Sequence, residues 1–451
     1  MKILVLVKVI NGEINPFDES ALEYGLRLSG DITVVTMGPK SNEEVLKPLT
    51  RLGAKVTLIS DSLFAGSDTL ATSYILSSAI KKMDYDLILA GRQSIDGDTA
   101  QVGPMVSKML GVNLITNAMS IEASEKTVIA DTRAGKEAVS LPALVTVERG
   151  YVLRFPSIFS KPGEVVVIDN SHVGCDKEKC GLHGSPTRVI ETFENEKGKR
   201  KCKFISFEEL PVLLEELNRK PKTENIDILK TAKLKSVWAI GEEVLEKAKD
   251  IADEVILIEK TFPEEIAKRA ELEKPDVILW NADLWGRKNA PVVAAILNTG
   301  LCADCTELES DGENFYMYRP ARGGSVYAKI KCLTKPQMAT VRTKQDSSDI
   351  LVAGGKGVSE NMDSLKTFAE KIGAEMCASR GLVDLGKVPY EMQVGLTGKT
   401  VSPKIYIAVG ISGAVHHTCA IEGADTVIAI NPYKDARIFE YADYGIVEKF
   451  V

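Results

Sequence analysis

Gln393-Val-Gly-Leu-Thr-Gly-Lys399 and Tyr406-Ile-Ala-Val-Gly-Ile-Ser-Gly-Ala-Val-His-His417 decide the class of this chain. The second run reads as a buried strand that breaks into Gly-Ile-Ser-Gly and then into a helix start. Such a turn points backbone N–H groups at an anion above it. Its glycines let a pyrophosphate approach the backbone closely. Ser412, His416 and His417 follow within a turn or two. A phosphorylated cofactor is implied, without saying which.

Outward from these runs, strands and helices alternate along nearly the whole chain. That pattern implies α/β layers with parallel sheets. Strands are expected at Lys2–Val9, Asp31–Met37, Lys55–Ile59, Leu87–Ala90 and Ala143–Glu148, with helices Ser20–Leu28, Asn42–Leu52, Thr69–Lys82 and Thr99–Leu110 between them. A similar set begins near Lys235, with strands Ser236–Ile240, Glu254–Ile258 and Val277–Trp280 and helices Val244–Ile251 and Pro263–Glu271. Tyr85-Asp-Leu-Ile-Leu-Ala-Gly-Arg-Gln and Pro275-Asp-Val-Ile-Leu-Trp-Asn-Ala-Asp each precede a helix with Pro in its first turn, which suggests an internal repeat. A last set holds strand Ile350–Ala353, helix Ser364–Ile372 and strands Lys404–Val409 and Ala424–Ile430. The expected domains are 1–205, a tail or linker arm at 206–230, 231–342 and 343–451. Within the arm, helix Phe207–Asn218 carries Leu210, Val212, Leu213, Leu214 and Leu217, an apolar face that needs a partner.

The bulk numbers exclude several classes. The 451 residues are 44% hydrophobic and 6% aromatic, with a net charge of −7 and interspersed signs. Nothing here attracts a nucleic-acid backbone or an anionic membrane. No run reaches the ~18 apolar residues that span a bilayer. Met1–Ile10 is apolar, but Lys8 interrupts it too early for a secretion signal, so it reads as a first strand. The cytoplasm is the expected compartment, with no stable membrane insertion. The eight cysteines are scattered. Cys175-x4-Cys180-x2-His183 and Cys302-x2-Cys305 have metal-like spacings, but zinc needs four ligands in matched pairs. Free thiols and no metal are expected.

Residues 351–451 resemble the FAD-binding domain of the electron transfer flavoprotein alpha subunit. The motifs are Gly354-Gly-Lys-Gly357, Ala378-Ser-Arg380, Gln393–Lys399, Val409-Gly-Ile-Ser-Gly-Ala414, Ala429-Ile-Asn431 and Ala442-Asp-Tyr-Gly-Ile-Val447. Residues 287–342 resemble the same subunit's N-terminal domain through Ala303-Asp-Cys-Thr-Glu-Leu308, Arg319-Pro-Ala-Arg-Gly-Gly324 and Arg342. Residues 1–190 resemble the beta subunit through Asn15-Pro-Phe-Asp18, Asp68-Thr-Leu-Ala-Thr-Ser73, Gly91–Pro104 and Gly181-Leu-His-Gly-Ser-Pro-Thr187. The resemblance implies a single-chain fusion, beta part first, built from three Rossmann-like, adenine-nucleotide-hydrolase-like parallel-sheet units. Lys356 stands where the family has Arg, and His416-His417 where it has Gln-His. The loop after strand one is short (Ile10–Ile14), and Tyr151-Val-Leu-Arg-Phe155 departs from the usual run.

The resemblance assigns FAD contacts to Ser379, Arg380, Gln393, Val394, Gly395, Thr397, Gly410, Ile411, Ser412, Gly413, His417, Asn431 and Asp443. Arg380 would stand beside the isoalloxazine, where at ~4 Å and an effective dielectric near ~20 the attraction to an anionic ring is of order 4 kcal/mol. Arg stays charged and packs flat on a ring. The Thr397 hydroxyl would bond flavin N5, either donating or accepting. His417 would stand near the O2 carbonyl, where a protonated or donor imidazole would stabilise negative charge. Each has a plainer reading: Arg380 as a surface arginine capping Cys377–Ser379, His417 as a polar residue at a helix start, Thr397 and Asn431 as turn formers.

In the beta-like part, Asp68, Thr69, Thr72 and Ser73 open one helix, and Asp98, Thr99, Gln101 and Val102 another. Two neighbouring helix starts rich in hydroxyls suggest a nucleotide cradle. Asp96 or Asp98 could equally be a simple helix cap. The family holds AMP there, or a second FAD in electron-bifurcating members; the short loop Ile10–Ile14 favours AMP. The implied function is an electron carrier, not a substrate-transforming enzyme, with no catalytic nucleophile or acid–base pair. It would pass electrons from flavin dehydrogenases, such as the acyl-CoA dehydrogenases of fatty acid β-oxidation, to a membrane quinone oxidoreductase. The alternatives are a bifurcating NADH-oxidising flavoprotein with two FAD, and a nucleotide-binding regulatory protein without redox activity.

Overall fold

The structure is a computed structural model that describes residues 1–194, 199–219, 232–312, 314–322, 326–345 and 348–451. The chain forms two compact units, one of residues 1–191, 231–322 and 328–341, the other of 192–230, 323–327 and 342–451.

The first unit opens with β1 (Lys2–Leu6), α1 (Pro16–Leu28), β2 (Asp31–Met37), α2 (Glu43–Thr50), β3 (Lys55–Ile59), α3 (Thr69–Ile80), β4 (Leu87–Gly91) and α4 (Val102–Leu110). An antiparallel meander follows, β5 (Asn113–Ala123), β6 (Thr127–Thr132) and β7 (Gly135–Ser140), then β8 (Ala143–Val147) and β9 (Val165–Ile168). The sheet order is β9-β3-β2-β1-β4-β8-β5-β6-β7. Its central strands are apolar on both faces, as a parallel sheet covered on both sides requires (Ile3, Leu4 and Val5; Leu87, Ile88 and Leu89). The chain runs outward from β1 through β2 and β3, then returns to place β4 on the other side of β1. A crevice opens at the carboxyl ends of the strands where the direction of winding reverses.

The arm follows; it begins near Arg200 rather than at 206 and holds β10 (Lys203–Phe204) and α5 (Leu210–Arg219), both in the second unit. The first unit resumes with β11 (Leu234–Ile240), α6 (Leu245–Ile251), β12 (Ala252–Ile258), α7 (Pro263–Glu273), β13 (Val277–Asn281), α8 (Leu284–Leu297), β14 (Leu301–Cys305), β15 (Phe315–Ala321) and β16 (Gln337–Val341). This second sheet has the order β12-β11-β13-β16-β14, with the same reversal beside its first strand. The sequence reading separates domains at 205, 230 and 342, yet both sheets share one compact unit. The reason is a common core: Leu70 of α3 and Met105 of α4 pack with Trp238, Trp280, Ala290 and Val293 of the second half. Helices α4 and α8, equivalent in the two halves, lie against each other. Lys108–Glu264 (2.6 Å) and Lys288–Glu137 (2.7 Å) fasten the rim.

In the second unit, β17 (Ile350–Gly354), α9 (Met362–Lys371), β18 (Glu375–Ala378), α10 (Arg380–Asp384), β19 (Ile405–Val409), α11 (Val415–Thr418), β20 (Thr426–Ile430) and β21 (Tyr444–Ile446) build a third parallel sheet. Its order is β10-β21-β20-β19-β17-β18. The arm therefore adds an edge strand, pairing Lys203 with Tyr444 in parallel. Leu210, Leu214 and Leu217 of α5 enter the core beside Ile350, Ile405 and Ile446, while Val212 stays exposed. Of the charged stretches 194–203 and 219–230 expected as linkers, residues 195–198 and 220–230 lie outside the described residues.

Met105 is fully buried in the core shared by the two halves of the first unit. Met105→Ala should cost about 2–5 kcal/mol. Urea unfolding should show that unit still melting in one transition; separate transitions for residues 1–191 and 231–341 would contradict a shared core.

Candidate functional site

The third sheet reverses its winding between β17 and β19, so a crevice lies at their carboxyl ends. Five stretches meet there through backbone hydrogen bonds. Gly355 N–H donates to Val409 O (2.8 Å), Gly357 N–H to Gly410 O (3.1 Å) and Ser379 N–H to Gly354 O (2.8 Å). Val394 N–H donates to Ala378 O (2.8 Å) and Leu396 N–H to His416 O (2.6 Å). Glycine is required where these loops touch: Gly410 has φ 64°, and a Cβ on Gly413 (φ 86°) would stand 2.1 Å from Ile438 N. Ser379, Arg380, Gln393–Gly395, Thr397, Gly410–Gly413 and His417 are thus gathered around one crevice.

Their polar groups are not equivalent. Thr397 is buried, and its Oγ1 accepts from Gln393 Nε2 at 2.7 Å, so the hydroxyl hydrogen is left to donate. Arg342 Nη2 donates to the Leu396 carbonyl and steadies the same loop. Arg380 is half-exposed at the start of α10 and pairs with Asp384 one turn on (3.1 Å). His417 is buried with both ring nitrogens engaged. Nδ1 donates to Val394 O at 3.0 Å, and Nε2 accepts from the Tyr406 hydroxyl at 2.9 Å. Burial holds its pKa down at about 4, which leaves it neutral. The sequence reading allowed a protonated imidazole; the fold instead uses His417 to lock Val394 over α11. Asn431 donates to Ile411 O (2.9 Å) and accepts from Tyr433 N–H (2.9 Å), the turn-forming alternative. Asp443 lies elsewhere. It precedes β21 at the amino edge of the sheet, accepting from Val427 N–H (2.8 Å) and from Arg200 (2.5 Å) of the arm. A parallel strand puts its first residue at the end opposite the crevice, so the aspartate anchors the arm.

The first sheet's crevice, between β1 and β4, holds a cavity of about 320 Å³. Asp68, Thr69, Thr72, Thr99, Gln101 and Val102 line it; Ser73 lies beneath, with its hydroxyl donating to Thr69 O (2.7 Å). Asp68 caps α3 by accepting from Leu70 and Ala71 N–H. Helix α4 starts at Val102, not Thr99, because Ser94–Gln101 forms a turn in which Asp98 (φ 51°) and Ala100 (φ 54°) are left-handed. Neither Asp96 nor Asp98 caps it: Asp96 pairs with Lys8 (2.7 Å), and Asp98 accepts from Gln93 (2.9 Å). Sequence reasoning missed Lys8, Asn15, Asp18 and Arg92, which also line the cavity. Asp18 accepts from Lys8 N–H (2.7 Å) and Gly91 N–H (3.1 Å), and burial pushes its carboxyl up to about 7. A Cβ at Gly91 would meet that carboxylate at 2.2 Å. The Asn15-Pro-Phe-Asp18 motif held the signal: a polar residue on the buried face of a helix start.

The second sheet's crevice is bridged by side chains. Lys260 pairs with Glu243 (2.6 Å) and Asp283 (3.0 Å), and Trp285 stacks on Trp280 (5.6 Å between centroids). Cys175 and Cys180 are buried and His183 is exposed. Among the described residues, no group of three or more His, Cys, Asp or Glu side chains could hold a metal ion.

Two domain descriptions match the sequence. Residues 3–172 and 239–359 match the electron transfer flavoprotein domain, and residues 345–422 match the electron transfer flavoprotein FAD-binding domain. The chain belongs to the electron transfer flavoprotein family. An electron transfer flavoprotein alpha subunit of Thermoanaerobacterium thermosaccharolyticum is 37% identical over 233 residues, 41% of this chain and 71% of that one. Protein FixB of Clostridium saccharobutylicum is 36% identical over 262 residues, 46% of this chain and 78% of its own length. The alpha subunit of Megasphaera elsdenii is 38% identical over 225 residues, covering 39% and 67%.

Membership and the matched domain make an electron-carrier role with FAD the coarse functional statement. The third crevice fits that group. Glycine loops at the reversal point suit a pyrophosphate, and the free hydrogen of buried Thr397 suits a ring nitrogen. No helix among the described residues is long and apolar enough to cross a membrane.

The state of His417 has a measurable consequence. Its folded pKa of about 4 lies below the unfolded value of 6.5, so the unfolded chain takes the proton first as pH falls. This group's stabilisation is complete above 6.5 and is lost as pH drops toward 4, at up to about 1.4 kcal/mol per pH unit within that window. Urea midpoints at pH 7.5 and 5 should diverge more in the parent than in His417→Gln. A His417 imidazole titrating near 6.5 by NMR would contradict the assignment.

Proposed function

We propose that the chain is a single-polypeptide electron transfer flavoprotein, with a beta-like part followed by an alpha-like part. The observation that carries this reading is that one family domain fits two separate stretches, 3–172 and 239–359, with the FAD-binding domain after the second. FAD, when bound, accepts and releases electrons. The chain's own residues would orient it: Thr397 donating toward the ring, Gln393 and Arg342 holding the loop that carries Thr397, and Arg380 supplying positive charge. Asn431 and His417 would act by positioning the loops. No nucleophile or acid–base pair is assigned.

The second nucleotide is proposed to be AMP, in the cavity between β1 and β4. About 320 Å³ is at the small end of ligand pockets, nearer a mononucleotide than a dinucleotide. A bifurcating reading with a second FAD is favoured by one observation, the family-like run Asp96–Val102 beside the cavity. Acid denaturation followed by chromatography decides between them: one FAD and one AMP per chain is expected. Two FAD per chain, or rapid reduction of the flavin by NADH alone, would support bifurcation. No flavin at all would leave only the regulatory nucleotide-binding reading.

The donors are proposed to be flavin dehydrogenases, such as acyl-CoA dehydrogenases, and the acceptor a quinone oxidoreductase, with the cytoplasm as the compartment. One surface supports protein docking. Val152, Phe155, Ile158 and Phe159 are 87, 94, 84 and 87% exposed, a cluster that a soluble surface rarely shows without a partner. Its base is fixed, because buried Glu23 accepts from Arg154 (2.8 Å) and Arg27 (2.9 Å), and Arg27 lies over the Tyr151 ring. Ile158→Asp should slow reduction by an acyl-CoA dehydrogenase at least ten-fold while FAD content stays at the parent level. An unchanged rate would remove this loop from the docking face.

A further inference from the structure

The wall of the first cavity is a turn that its own half does not hold alone. Between Ser94 and Gln101, Asp98 and Ala100 both adopt left-handed backbone, which a Cβ disfavours. Such a conformation persists only where surrounding contacts over-determine it. Three hydrogen bonds to the turn come from the second half of the same unit. Arg319, on β15 and 4% exposed, donates Nη1 to Gly97 O at 2.8 Å and Nη2 to Asp98 O at 3.0 Å. Gln101 Nε2 donates to Leu301 O, at the start of β14, at 3.0 Å. The other end of the Gln101 amide accepts from Thr69 at 2.6 Å, which links the turn to the start of α3.

We propose that Arg319 is the positioning residue of the nucleotide cavity. Through the carbonyls of Gly97 and Asp98 it sets the turn that places Gly97, Thr99, Ala100 and Gln101 in the cavity wall, so that retention of an adenine mononucleotide depends on the alpha-like half. Its planar fork meets two successive carbonyls with separate nitrogens at a fixed spacing, which the single point donor of a lysine ammonium does not reproduce. The inference rests on the proposed assignment of the cavity to AMP. Because the guanidinium itself does not line the cavity, the effect is transmitted through the turn and is separable from direct binding.

The test uses full-length FAD-loaded protein stripped of its second nucleotide and titrated with AMP by calorimetry. Arg319→Lys should weaken AMP at least ten-fold while FAD stays at the parent content. Ala100→Gly, which removes the Cβ from a left-handed position, should restore at least part of that affinity when combined with Arg319→Lys. General damage to the core would not be rescued by a glycine in the turn. If Arg319→Lys is insoluble, Arg319→Gln, which keeps one donor group, decides, with AMP weakened at least ten-fold and FAD content unchanged. Parent-like AMP affinity in the Arg319 variant, or no rescue when it is combined with Ala100→Gly, overturns the role of Arg319. A parent protein that takes up no AMP overturns the cavity assignment as well, and so separates the two failures.

Discussion

Parallel pairing of a first strand with neighbours on both sides is the constraint on which the rest of this structure depends. In each of the three sheets the winding direction reverses beside the first strand, which leaves an unfilled crevice at the carboxyl ends. The three crevices share one geometry and differ in their side chains. Beside β17 they are edged by glycine loops that touch backbone to backbone. Beside β1 polar side chains line the space, and Asp18, Asn15 and Gln101 among them bind the backbone around it. Beside β11, Lys260 ties together the loops after β11 and β13. The repeated fold therefore sets where a nucleotide could sit, and the local residues set whether it can.

Keeping the first crevice open has an electrostatic cost. Asp18 is buried where burial alone would neutralise it, and two backbone N–H groups offset only part of that penalty. In return one carboxylate fixes Lys8, two residues past β1, to the end of β4 across the reversal point. Asn15 adds a second staple, donating to Gln93 O (2.9 Å) and accepting from Ile95 N–H (3.3 Å). Arg319 holds the far wall. An open cavity in a close-packed protein is maintained by such fixed loops, because apolar packing alone would close it.

Much of this was legible in the sequence. The apolar runs at 31–37, 55–59 and 277–280 gave their strands to within a residue, since buried parallel strands have no polar face to confuse the pattern. The glycine motifs of 393–417 marked the third crevice. The meander 113–140 was not read, because its strands are half-exposed and alternate polar with apolar residues. Helix α4 was started three residues early: Asp98 and Thr99 look like cap residues, and only tertiary contacts reveal the left-handed turn. Asp443 illustrates a different limit. Motif likeness gives a residue's neighbours in sequence, whereas which end of a strand it occupies depends on the direction of the sheet.

The proposed FAD site also shows how charge and shape are divided. A buried imidazole bonded at both nitrogens is a rigid neutral strut, and it ties the Val394 loop to α11. Burial holds its pKa down at about 4, so near neutral pH it is not a cation. Arg380, the proposed source of positive charge, keeps partial solvent access and a compensating carboxylate at Asp384. That arrangement is chemically suited to a carrier. The neutral struts would keep the surroundings of a bound flavin from reorganising as electrons come and go.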